Sequence, residues 1–302
     1  MKTKEQELKR FEKYLLKKNR TPSTTKGYLV LLSYFIEWCR VFKVNFQKAT
    51  LEELYDYQSY NRSIGNKPHT LQSKISVLRE YYRFLGRKNN PALLMETEKP
   101  EKKLPKNLLT EESLLNLYLD CPVKSTDEIS FRNKIMFSMF IFQGLTRSEL
   151  DILEVEHIDF EKRRLYVPAN GQRNRRYIDL NPIQKRDLEK YVNQTRNELL
   201  VQYNKTTGLL FFSTSARHGD TLLDIHNIML RDYKKQMPDL VSFIHIRQSR
   251  MALWVNEFGI RKAQYLSGIK YVTSLIRYRS SGHEKLKQKL NIIHPLERLK
   301  LD

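Results

Sequence analysis

The sequence predicts a mostly α protein in two domains: an N-terminal helical unit over residues 1–88 and a C-terminal α+β unit with a small β-hairpin over residues 108–302. Three observations predict it. Apolar residues recur every three or four positions in the first stretch, the period of a helix with one buried face. The stretch "GRKNNPALLMETEKPEKKLPKN" has prolines, charges and little periodicity, so residues 89–107 read as an interdomain linker. Around residues 165–180 the period shortens to apolar runs flanking a polar turn, which is hairpin chemistry. A chain of 302 residues also exceeds what one hydrophobic core usually supports.

Within the first unit, "TPSTTKGYLVLLSYFIEWC" offers Ser23 or Thr24 as an N-cap, followed by Tyr28, Leu31, Leu32, Phe35 and Trp38 along one stripe. The later helix "HTLQSKISVLREYYRFL" places Leu71, Ile75, Leu78, Tyr82 and Leu85 inward, with Thr70, Ser73 and Lys74 at the start of the opposite face. Hydroxyls and a lysine there suit a DNA groove and its phosphates, and they suit an ordinary solvated face as well. After the linker, Thr110 caps "LTEESLLNLYLDCP", whose first turn is acidic. The very apolar helix "RNKIMFSMFIFQG" ends at Gly144. Leu165, Tyr166 and Val167 then form one strand and residues 177–180 another, joined by "ANGQRNR". The arginines crowded between 163 and 176 repel one another unless an anion meets them. Beyond Pro182 the chain returns to helices, broken by a polar loop near "STSARHGD".

The formal charge of +20 favours a polyanionic partner, and nucleic acid is the commonest one. No signal peptide, lipidation motif or apolar run of spanning length is present, so no membrane partner is expected and the chain is expected in the cytoplasm. Cys39 and Cys121 stand far apart, with neither a disulfide framework nor metal-ligand spacing. A glycine-rich phosphate loop is missing too, so no nucleotide, metal or other cofactor is expected.

Several stretches, in order, resemble the tyrosine recombinase (phage integrase) family. "FEKYLLKKNRTPSTTKGYLVLLSYFIEW" with "TLQSKISVLREYYRFL" is similar to its helical, SAM-like core-binding domain; "LLTEESLLNLY" is similar to the opening of its catalytic domain. "GLTRSELDILEVEHIDF" resembles its first conserved box, and "HIRQSRMALWVNEFGIRKAQYLSG" its second. The resemblance implies site-specific recombination of double-stranded DNA for a mobile element, by integration or a related exchange. It makes Tyr278 the nucleophile, ten residues after Gly268 and thirty-one after Arg247, the arginine of the second box. Tyr271 fits neither spacing and is assigned to packing. The chemistry is attack of a phenol on a phosphodiester, giving a 3′-phosphotyrosyl bond and a free 5′-hydroxyl, with arginines clamping the phosphate and an acid at the leaving oxygen.

The family pattern is departed from at four places. Thr146 stands where the first box carries arginine, and Arg147 beside it either bends back to the phosphate or remains a solvated helix-start arginine. The family's hairpin lysine, the usual acid, falls at Gln172; Arg173 next to it is cationic but, with a pKa above about 12, a poor proton donor. Ile244 replaces the usual His or Lys of the second box, with His245 one residue later as a candidate catalytic group. Ile269 follows the Leu-x-Gly turn in place of His or Trp. Arg175 and Arg176 are expected to meet phosphates from the hairpin. Against a cutting enzyme stands a recombinase-derived protein that binds DNA without cleaving it, and beyond it a relaxing topoisomerase of the same chemistry. In the tail, Leu286, Leu290 and Ile293, then Leu296 and Leu299 beyond Pro295, form an apolar stripe. It serves either as a helix on its own domain or, as the resemblance implies, as a segment docking on a neighbouring protomer in a tetramer on paired sites.

Overall fold

The computed structural model describes residues 4–97, 104–105, 107–123, 127–171, 173–214 and 222–279. Contacts divide the chain into two compact units, Met1–Lys102 and Lys103–Asp302.

The first unit is a set of four helices: α1 (Lys4–Lys17), α2 (Pro22–Val41), α3 (Leu51–Ser63) and α4 (Pro68–Phe84). Helix α2 starts earlier than expected, because Pro22 supplies the preset φ of the first helical position and Thr21, not Ser23 or Thr24, accepts from the Thr24 N–H at 3.3 Å. A capping box between Thr50 and Glu53 opens α3. Phe11, Leu15, Leu32, Phe35, Leu54, Ile75, Leu78, Tyr81 and Tyr82 make the core. The chain after α4 is not free linker at once. Asn90 caps a short 3₁₀ turn, Ala92 and Met95 are buried, and Arg79 donates to their carbonyls at 2.9 and 2.7 Å.

In the second unit, Thr110 caps α5 (Glu111–Leu119), accepting from the Ser113 N–H at 3.1 Å. Helix α6 (Glu128–Ile141) is half-buried at its start and sheathed on every side over its second half, with Ile135, Phe137, Met139 and Ile141 all inaccessible to solvent. The one-turn helix α7 (Arg147–Leu150) precedes a three-stranded antiparallel sheet, β1 (Ile158–Asp159), β2 (Arg164–Val167) and β3 (Arg176–Asp179), in the order β1-β2-β3. The expected hairpin is β2–β3, in register Leu165 with Ile178 and Val167 with Arg176. Its companion β1 is two residues long, too short to leave a periodic signal. Helix α8 (Pro182–Lys190) runs through one π-helical turn into α9 (Arg196–Gln202), and α10 (Leu223–Lys234) and α11 (Phe243–Ser267) follow. Most of the expected loop near "STSARHGD" lies outside the described residues. Among the described residues, no helix is long and apolar enough to cross a membrane.

Candidate active site

The site begins where α6 gives way to α7. Gly144 has φ +54°, and a Cβ there would press to 3.3 Å on Arg250 and Trp254, so the bare backbone lets α11 come close. Its carbonyl accepts from Arg247 Nη1. Thr146, at the place of the family's arginine, is a helix cap: it forms a capping box with Glu149, taking the Glu149 N–H while its own N–H reaches Oε2 at 2.8 Å. That cap turns Glu149 inward, where it is fully buried.

Glu149 organises the cations. Its Oε1 accepts from Arg176 Nη1 at 2.6 Å, and its Oε2 lies 3.7 Å from Arg247 Nη1. Burial alone would raise the carboxyl's pKa, but Arg176 and Arg247, with hydrogen bonds from Arg176 and Thr146, hold it below the usual range. Arg247 also donates to the Ser267 carbonyl at 2.8 Å. Burial pushes its guanidinium down to about 9, opposed by Glu149 and assisted by Arg173 and Arg176. Arg250, one turn on, fixes α11 to the Ile141 carbonyl at 2.8 Å and to Glu111 at 2.5 Å.

Arg176 is a correction. Expected to meet phosphates from the hairpin, it points inward, because β3 alternates and Arg176 shares the buried face with Ile178. Besides Glu149 it donates to the Leu266 carbonyl at 2.8 Å. The end of α11 is shaped around it: Gly268 is left-handed at φ +66°, and a Cβ there would strike Arg176 Nη1 and sit 3.0 Å from the Asn174 carbonyl. Asn174 donates its N–H to the Gly268 carbonyl at 2.8 Å, and Arg173 pairs with Ile269 in an antiparallel bridge. The hairpin therefore holds the segment leading to Tyr278. Arg175, by contrast, is exposed.

Tyr278 is fully buried, on a helical stretch over 273–279, in a cluster with Met251, Trp254, Ile269 and Leu275. Its hydroxyl accepts from Arg277 Nη2 at 3.2 Å. Burial raises its pKa, while Arg277, Arg247 and Arg173 pull it down without overcoming that burial. Tyr271, assigned to packing from the sequence, is instead 69% exposed. It lines a cavity of about 230 Å³ with Arg173, Ile269, Lys270, Ser274 and Arg277. Arg173 is half-buried, and loss of hydration lowers its pKa. Gln172 lies outside the described residues.

The remaining candidates lie elsewhere. Arg147 neither joins Glu149 nor stands free; it donates to Asn227 Oδ1 at 2.9 Å and lies over the Phe243 ring. His245 is buried with Nε2 2.7 Å from the Asn107 carbonyl. Two residues on a helix are about 200° apart, so His245 is turned away from the face that carries Arg247. Ile244, one helical turn before Arg247, is 70% exposed on that face. In the first unit Thr70 is half-buried and Ser73 exposed. Lys74 departs from the expected solvated face: it is buried, donates to Asn61 Oδ1, and lines an aromatic cavity of about 380 Å³ with Tyr34, Trp38, Tyr57 and Tyr60.

The arrangement offers a phenol beside guanidinium groups whose charges act on it, one of which, Arg247, is paired with a buried carboxylate. Sequence reasoning missed Glu149 and Lys270. The "TRSE" capping-box pattern was the available signal for the first.

Residues 8–89 match the family described as phage integrase, N-terminal SAM-like domain. The chain is 25% identical over 299 residues to the tyrosine recombinase XerC of Bacillus subtilis, covering 95% of this chain and 96% of that protein. It is 28% identical over 221 residues to the tyrosine recombinase XerC of Oceanobacillus iheyensis, 69% of each chain. In fold it is similar to the Tn1549 transposon integrase in complex with a circular intermediate DNA, with a TM-score of 0.63, 15% identity and coverage of 94% of this chain and 99% of that one. It is likewise similar to a lambda integrase dimer bound to a COC′ core site, with a TM-score of 0.64, 16% identity and coverage of 91% and 76%.

Proposed function

The chain belongs to the tyrosine recombinase family, and from that premise we propose that it cleaves and rejoins double-stranded DNA through Tyr278, as the site-specific recombinase of a mobile element. The observation that carries this reading is the cluster in which buried Glu149 holds Arg176 and Arg247 while the Arg173–Ile269 bridge ties the hairpin to the segment that leads to Tyr278. Tyr278 Oη attacks phosphorus, the bond to the 5′-oxygen breaks, and a 3′-phosphotyrosyl ester holds the strand until another 5′-hydroxyl reverses the step. Arg247 and Arg173 meet the charge that gathers on the phosphate oxygens, and Glu149 with Arg176 positions Arg247. Tyr278 is buried, so its hydroxyl must move into reach of a phosphate when DNA binds. Thr70, Ser73 and Arg175 are the proposed DNA contacts.

A tetramer on paired sites, joined through the tail after Ser281, is the proposed assembly; that tail lies outside the described residues. Head-to-tail docking of that kind closes a ring and couples neighbouring sites. A second reading, DNA binding without cleavage, is favoured by Thr146 serving as a cap where the pattern has a clamp arginine. One experiment decides between them. The chain is incubated with a randomised pool of nicked duplexes and run on a denaturing gel; a covalent protein–DNA band supports cleavage, and binding with no band supports the second reading.

A further inference from the structure

Cleavage by Tyr278 has one chemical requirement that the residues placed so far do not meet. The departing 5′-oxygen needs a proton, and guanidinium is an unsuitable source: Arg247, the one that burial depresses most, spends both of its terminal nitrogens on the Gly144 and Ser267 carbonyls. His245 is committed to the Asn107 carbonyl on another face of α11. The hairpin position that the family resemblance reserves for a lysine is a glutamine in this chain, Gln172.

Lys270 stands beside that place by a different route. It follows Ile269, the residue bridged to Arg173, and its Nζ donates to the carbonyl of Gly171 at 2.9 Å. An ammonium carried on the segment before Tyr278 thus sits over the hairpin turn, next to the residue that precedes Gln172. Lys270 also lines the 230 Å³ cavity with Arg173 and Arg277, and with Tyr271 and Ser274. Among the described residues, three cations and two hydroxyls face that space and no carboxylate lines it. A lining of that kind takes a phosphate, and only one of its three cations gives up a proton readily.

We propose that Lys270 is the general acid of strand cleavage, delivering from the opposite strand of the Arg173–Ile269 bridge the ammonium that the family pattern places at the hairpin. This inference rests on the reading that Tyr278 is the nucleophile. As Oη bonds to phosphorus the tyrosine proton leaves to water, the P–O5′ bond breaks, and Lys270 Nζ gives one proton to the 5′-oxygen. The lysine is left neutral and takes that proton back from the attacking 5′-hydroxyl during rejoining. The existing hydrogen bond to Gly171 uses one of the three ammonium protons and leaves two to give.

The test uses the full chain and a nicked duplex recovered by wild-type covalent capture from the randomised pool. It is made in two forms, one with the natural 5′-bridging oxygen and one with sulfur there. A thiolate leaves without protonation, so the sulfur form needs no acid. Lys270→Met is expected to lower the cleavage rate on the oxygen form by about 100-fold or more, the scale of general acid catalysis, and to cleave the sulfur form within a few-fold of wild type. Lys270→Arg, which keeps the charge and the contact with Gly171, is expected to show the same split. Normal cleavage of the oxygen form by Lys270→Met overturns the proposal. So does equal slowing on both forms, which would make Lys270 a binding or structural residue. If the wild-type chain captures neither form, the nucleophile reading itself fails; a wild type that cleaves both while Lys270→Met shows no split leaves that reading standing and removes only the acid.

Discussion

Arg176 and Glu149 meet at 2.6 Å with neither side chain exposed to solvent, a buried ion pair between a sheet strand and a one-turn helix. The pair is the hub of the candidate site. Through Glu149 it reaches Arg247, through the Leu266 carbonyl it reaches the end of α11, and beneath Gly268 it occupies the space that any side chain would need. Burying one carboxylate against two guanidinium groups costs hydration that only their mutual contacts offset.

Glu149→Gln should therefore destabilise the chain by about 3–5 kcal/mol, the usual cost of leaving a buried charge without its partner. Equilibrium urea unfolding measures it. The pH dependence follows from the sign of the shift. The folded pKa is depressed below the ordinary 4.5, so the stabilisation is fully present above that value and is lost as pH falls through the folded pKa. In Glu149→Gln this acid-dependent part should vanish, and an unaltered acid limb would show that the pair contributes little.

A second titration lies outside the active site. His226 on α10 is fully buried between Phe140 and Phe243, and among the described residues neither ring nitrogen has a hydrogen-bond partner. Burial, with Arg147 and Arg132 adding to it, pushes its pKa from 6.5 down to about 4. The folded state thus holds the neutral ring, and its advantage is complete above pH 6.5 and is lost as pH falls from there towards 4. His226→Leu should remove a stability loss of up to roughly 3 kcal/mol between those pH values. Thermal melts of both proteins at pH 7 and pH 4.5 give the comparison; parallel losses would mean that His226 does not titrate with unfolding.

On the hairpin, the two adjacent arginines should behave differently. Arg175 is exposed and Arg176 internal, a consequence of strand alternation. Arg175→Gln should flatten the log–log salt dependence of duplex binding by about 0.9, the release expected for one phosphate contact, and leave stability unchanged. Arg176→Gln should instead lower the melting temperature. Fluorescence anisotropy titrations at several salt concentrations read the first effect, and an unchanged slope for Arg175→Gln would place that side chain away from DNA.

Much of this was open to sequence reasoning because helices and strands announce their buried faces by period. Thr110 was found as a cap and the β2–β3 hairpin by its turn. The misses are instructive because the same periodicity contained some of them. Lys74 lies three residues after Leu71 and four before Leu78, on the very stripe that α4 buries, and its charge drew it to the wrong face. Arg176 shares strand parity with Ile178, which already pointed inward. Other features had no local signal. Ala92 and Met95 join the core with Arg79 holding their carbonyls, and the placement of Lys270 over Gly171 goes with a bridge between segments nearly a hundred residues apart. Spacing singled out Arg247 and Tyr278, but it carried no information on which of two tyrosines seven residues apart would be hidden.

That choice of tyrosine gives the last prediction. Exposure alone favours Tyr271, which is 69% accessible beside Arg173 and Lys270, whereas Tyr278 is at 0%. Charge favours Tyr278, since Arg277, Arg247 and Arg173 all stabilise its phenolate against the burial that opposes it. On the proposed reading, the buried nucleophile is held back from reaction until its arginines bind a phosphate. On this account Tyr278→Phe should abolish the covalent DNA adduct while leaving duplex affinity within about twofold, because the ring still packs and only the hydroxyl is removed. Tyr271→Phe should retain the adduct. The two variants are compared on the same captured duplex, by denaturing gel for the adduct and by anisotropy for affinity. An adduct that survives in Tyr278→Phe and disappears in Tyr271→Phe would transfer the nucleophile to the exposed residue that lines the cavity with Lys270 and Arg277.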